Sequence, residues 1–195
     1  MNLINRAKNI LLTPKTEWVL VSGESATLSS LLTTYVLPLA VIPAVAAFLS
    51  TLFWTGRLFG FNYALFSAIS TYVSAVIAFV VTSLLVDLLA PNFQSQKEIG
   101  GSSQLVAYSA TAVWVASILG IVPGLGWLGS LAGFVYTVYL MYLGLTPVKK
   151  TPEDQRVVYL LIIFVVYVVL SMLLTWLIMG VVFAGILGVA ATSLF

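Results

Sequence analysis

Residues 62–90 read NYALFSAISTYVSAVIAFVVTSLLVDLLA and carry no charge until Asp87. At about 1.5 Å per residue, a helix of this length exceeds the roughly 30 Å hydrocarbon core of a bilayer. The rest of the chain has the same character. Of 195 residues, 61% are hydrophobic and 7% charged, and the mean hydropathy of +1.12 lies far outside the range of water-soluble domains. This composition specifies an all-α fold, a polytopic membrane helical bundle. The length suits about five transmembrane helices and leaves little for a soluble domain.

Outward from that segment, the apolar runs place spans at about 28–54, 62–90, 104–121, 125–145 and 157–187, which together form one transmembrane domain over 28–195. Pro38 and Pro43 predict a kink in the first span, with freed carbonyls that need partners inside the bundle. In the second, Ser70, Ser74, Ala78 and Thr82 recur every four residues. That ridge suits close helix packing or, alternatively, a polar pathway along its hydroxyls. The stretch NFQSQKEIGGSS, residues 92–103, reads as a polar loop, and Pro123 with Gly124 as a tight turn. Gly129 and Gly133 form a G-x-x-x-G packing pair, and Tyr136, Tyr139 and Tyr142 follow as interface anchors and packing groups. Residues 157–195 are uncharged and would span about 58 Å as one helix. They predict a long tilted helix loosened around Gly180, Gly185 or Gly188, or else a sixth short span over 180–195.

Residues 1–27 form an N-terminal segment of different texture. Leu3, Ile4, Ala7, Ile10 and Leu11 recur at helical spacing, with Asn2, Asn5, Arg6, Lys8 and Asn9 opposite. This pattern predicts an amphipathic interfacial helix, with a soluble leader as the rival reading. Thr13 is placed to cap a second short helix that has Pro14 at its first position, and Trp18 suits the headgroup level. The segment lacks the apolar run and the cleavage site of a secretory signal.

Cysteine and histidine are absent, so disulfides, thiolate nucleophiles, Cys/His metal or haem sites and His bases are excluded. The net charge of +2 is small and its basic residues are scattered, which argues against nucleic acid. With an N-inside, five-span topology, seven of the eight bases and all six acids fall on the inner side, and only Arg57 falls outside. The C-terminus is then outside. Any charge-dependent partner would meet the protein from the cytoplasm.

Asp87 lies about one turn from the inner end of its span, where a carboxylate also opposes the helix dipole. Two readings stand. It forms a salt bridge with Lys97, Lys149 or Arg156, or it binds a cation or proton. In the second case Glu17 and Glu98 are the companion candidates for a metal, since hard cations take oxygen ligands. Serine–lysine or serine–histidine catalysis needs a base beside the nucleophile, and no predicted span contains Lys or His. An aspartyl mechanism needs two neighbouring acids. An enzyme is therefore not expected, and no cofactor is implied.

Asp87-Leu88-Leu89-Ala90-Pro91 resembles the D-L-x-x-P signature that closes the second span in the Yip family of Ypt/Rab-interacting membrane proteins. Other features follow in the order of the bacterial branch. They are Pro14, Glu17 and Trp18; Ile42, Pro43 and Ala44; Val106 to Ser109 around Tyr108; Pro123 and Gly124; and Tyr136 to Gly144. The chain departs from that branch at Thr111 and Ala112, where relatives place a proline, so its third span is expected to begin straighter. The resemblance implies a five-span inner-membrane protein with a cytoplasmic N-terminus and no known enzymatic activity. It also implies association with itself or other membrane proteins. The long soluble N-terminal segment of eukaryotic relatives is missing, so a Rab-type GTPase is not expected as partner. The resulting expectation is a membrane-organising adaptor or scaffold embedded in the lipid bilayer, with a small cation transporter or channel using Asp87 as the alternative.

Overall fold

The computed structural model describes residues 2–54, 56–169, 172, 173 and 176. Among these all regular structure is helical, with α1 (Leu3–Leu12) and α2 (Pro14–Ser22) preceding four long apolar helices. The long helices are α3 (Leu28–Trp54), α4 (Gly60–Phe93), α5 (Ile99–Ile121) and α6 (Gly126–Lys149). Each is long and apolar enough to cross a membrane. A shorter apolar helix, α7 (Arg156–Val169), follows them. The side chain of Arg57, the path of the last helix past residue 176, and the sixth short span with Gly180, Gly185 and Gly188 lie outside the described residues.

Helix α5 is the centre of the bundle. Half of its most apolar window is buried inside the protein, against 33% for α3 and α6 and 28% for α4. The outer helices turn Ile69, Val73, Ile77, Leu131, Val135, Leu161 and Val165 outward, where lipid rather than water suits them.

Several local choices explain the element ends. The Thr13 side chain does not cap α2. Its hydroxyl instead donates to Asn9 O at 3.1 Å, closing α1, because its backbone is already turned to bond the same carbonyl. A capping box between Thr27 and Ser30 starts α3. A π-helical turn over Leu32–Val36 then precedes Pro38, and the helix resumes its regular form at Val41. Beside this irregular stretch Tyr72 donates its hydroxyl to Leu37 O at 3.2 Å, so a neighbouring helix supplies a partner there. Gly60 has φ 75° and ψ −179°, a conformation that only glycine adopts without strain.

Two stretches expected to be loop are helix. The sequence IGGSS belongs to α5, which begins at Ile99 because Glu98 caps it with both carboxylate oxygens, on Gly100 N at 3.0 Å and Gly101 N at 2.7 Å. A Cβ on Gly100 would meet Ala26 O at 2.1 Å, so the glycine lets the N-terminal segment cross there. Likewise α6 continues through Pro147 to Lys149 and ends on Lys150 in the left-handed conformation. Lys149 is thereby a helix residue.

Gly129 and Gly133 of α6 lie against α5. A Cβ on Gly133 would come within 2.7 Å of Ala116 Cβ, and one on Gly129 within 2.7 Å of Ala116 O. On α4, Ser74, Ala78 and Thr82 border an interhelical cavity of about 370 Å³, while Ser70 is half-buried one turn further out.

Candidate functional site

Two clusters hold the buried charged side chains, Arg6, Glu17 and Lys149. In the first, Asp87 near the end of α4, Ser102 in the first turn of α5 and Lys149 at the end of α6 converge. Lys149 Nζ lies 2.6 Å from Ser102 Oγ, 3.2 Å from Glu98 O and 3.4 Å from Asp87 Oδ1. An ammonium has three protons, and here it meets three acceptors. Ser102 Oγ lies 3.0 Å from Asp87 Oδ1 and so bridges the pair. Among the three sequence-level partners for Asp87, the structure selects Lys149, whose side chain is 1% exposed against 16% for Asp87. Lys97 is exposed, and Arg156 instead pairs with Glu153 at 2.6 Å and lies over the Tyr142 ring.

The chain around this cluster is fastened from both sides. Gln96 N donates to Lys149 O at 2.8 Å, and the hydroxyls of Ser95 and Thr151 lie 2.7 Å apart. Tyr159 of α7 donates to Val86 O and stacks on Phe93, just past Pro91. Leu88, by contrast, is exposed.

A serine and a lysine are thus in contact, although no span was expected to hold a lysine. The extension of α6 brings them together. Both are buried, and the Ser102 hydroxyl also has Glu98 O in reach at 3.1 Å. Their hydrogen-bonding groups are engaged with each other and with the protein.

The second cluster ties α1 and α2 to the bundle. Arg6 Nη1 donates to Glu17 Oε1 at 2.6 Å, and Nη2 reaches both oxygens of Glu24. The side chains of Arg6 and Glu17 are 6% and 2% exposed. The guanidinium also sits 5.3 Å from the centre of the Tyr108 ring. Burial works against the cation, but the hydrogen bond to Glu24 and the surrounding negative charge outweigh it and hold the Arg6 pKa above its usual value. Tyr108 meets Tyr35 edge-on at 4.8 Å, and the Tyr35 hydroxyl is 2.7 Å from Thr111 Oγ1. Gln104 Nε2 donates to Glu24 O at 3.0 Å, and Tyr136 OH to Leu11 O at 2.6 Å.

This geometry corrects two expectations. Arg6 belongs to the buried face of α1 beside Ile10, whereas Ile4 is exposed, because two carboxylates and an aromatic face await the guanidinium inside. Trp18 is 1% exposed, so its indole packs inside the protein instead of facing lipid. A Cβ on Gly144 would come within 2.9 Å of its ring, so Gly144 provides the slot that the indole fills.

The three oxygen ligands considered for a cation are held apart. Glu17 faces Arg6, Glu98 caps α5, and Asp87 faces Lys149 and Ser102. Among the described residues no three His, Cys, Asp or Glu side chains come together as a metal would require. Sequence reasoning missed Ser102, Gln104, Tyr35, Thr111 and Tyr159.

A bundle of long apolar helices whose buried charges are paired near helix ends defines a polytopic integral membrane protein. Residues 8–175 match the Yip1 domain, and the chain belongs to that family. It is 26% identical over 152 residues to inner membrane protein YohC of Escherichia coli strain K12, an alignment covering 73% of this chain and 77% of the relative. The same protein from Escherichia coli O6:H1 matches equally. No solved structure matches the chain.

Proposed function

We propose that this protein is a non-enzymatic adaptor or scaffold of the inner membrane, with its N-terminus and the Lys149–Lys150 turn in the cytoplasm. The observation that carries the reading is the engagement of Asp87 by Lys149 and Ser102, together with that of Arg6 by Glu17 and Glu24. Groups that a transporter or enzyme would present to its substrate here hold helices together. The apolar outer faces are then available for assembly with itself or other membrane proteins, and the exposed Lys97, Lys150, Glu153 and Asp154 for contacts at the cytoplasmic surface.

Cross-linking in native membranes, followed by purification and mass measurement, tests this reading. The expected result is a set of captured membrane proteins. A self-contained assembly without neighbours, combined with cation flux in liposomes that Asp87→Asn abolishes, would overturn it in favour of a transporter. Reporter tags at Lys150 test the orientation, and an outward location would refute it.

A further inference from the structure

The cavity beside α4 has a shape that needs an occupant. It runs from Thr71 to Thr82 along α4 and from Ser117 to Val106 along the antiparallel α5, with α6 and α7 lining it from Phe134 to Met141 and from Leu160 to Tyr167, and it is partly open to the surroundings. Eleven residues of helix make it about 16 Å long, close to half the roughly 30 Å bilayer core and so to the reach of one acyl chain. Its volume of about 370 Å³ gives an independent measure. A dry apolar cavity of about 150 Å³ accepts benzene, or about 25 Å³ per carbon, so this one accommodates about 15 carbons. Length and volume agree on a single unbranched chain.

Other fillings fit poorly. Left empty, apolar walls of this extent would forgo their packing contacts. Water needs two to four polar partners per molecule, and the lining is dominated by residues such as Phe79, Val113 and Phe134. Two of its hydroxyls are already committed to their own helix, Thr137 to Gly133 O at 2.8 Å and Ser117 to Trp114 O at 2.6 Å. The end at Thr82 lies five residues, or about 8 Å, from the level of Asp87, close to where a headgroup would sit. We infer that the cavity is a binding site for one acyl chain of a membrane lipid, whether a free fatty acid or one chain of a phospholipid.

The test is native mass spectrometry of the full chain, first as purified in mild detergent and then delipidated and offered palmitate or dioleoyl phosphatidylglycerol in separate arms. The expected result is about one retained acyl lipid per chain, with the arm that rebinds identifying the source. Ala78→Phe and Ala110→Leu fill the cavity from opposite walls and should each reduce retention about tenfold. Phe164→Ala enlarges it and should shift the retained lipid toward longer chains, which keeps the test informative where a filling variant fails to fold. No retained or rebound acyl lipid, or retention unchanged in amount and chain length by folded variants, would overturn the inference.

Discussion

The two buried charge clusters meet the same cost in different ways. Around Arg6, one cation meets two carboxylates and an aromatic face, and all the charged partners come from within 18 residues of sequence. Around Lys149, one cation meets a single carboxylate 62 residues away at a longer distance, and a hydroxyl and a helix-end carbonyl complete its shell. The first is a charge-rich local clasp on the N-terminal hairpin. The second is a charge-poor joint between helices, in which a hydroxyl and a carbonyl stand where a second carboxylate would. Removing a buried ionic partner is expensive chiefly for the charge left behind, so the clusters should respond differently to mutation.

The largest effect is expected for Arg6→Ala, which leaves the buried Glu17 carboxylate without its cation. A loss of about 3–5 kcal/mol should appear as a lower thermal midpoint in detergent and faster trypsin cleavage at Lys15. Arg6→Met combined with Glu17→Leu should restore most of it, and failure to do so would break the account of the clasp. Next comes Lys149→Met, at about 2–3 kcal/mol, since Asp87 keeps its bond from Ser102 and some exposure. Ser102→Ala should cost about 1 kcal/mol in the same assay; a loss equal to that of Lys149→Met would make the hydroxyl the principal partner of the lysine. The smallest effect belongs to Arg156→Gln, within about 1 kcal/mol, because Glu153 is 86% exposed and that pair is screened by water.

The class of fold was legible because hydrophobic excess on this scale has one physical use. The need for an Asp87 partner was legible too, since an acid at a helix C-terminus near lipid requires compensation. Which base supplies it was not, because that depends on where α6 stops. The run Thr146 to Lys149 resembles a polar loop until its contacts with α5 are known. The inward direction of Arg6 was missed because a charged residue was assigned to the polar face by type. One signal was available. Arg6 lies seven residues before Thr13, and Glu17 and Glu24 lie four and eleven after it, so a reversal at Thr13–Pro14 aims the guanidinium between them.

The bond from Tyr136 to the Leu11 carbonyl joins residues 125 apart. A chain made from its N-terminus at about 5–20 residues per second must therefore wait on the order of ten seconds before its first helix can find that partner. In the earlier part of that interval, before α5 has been made, Arg6 with Glu17 and Glu24 gives α1 and α2 a way to mask opposite charges. In this order of events the beginning of the polypeptide is among the last parts to reach its final seat.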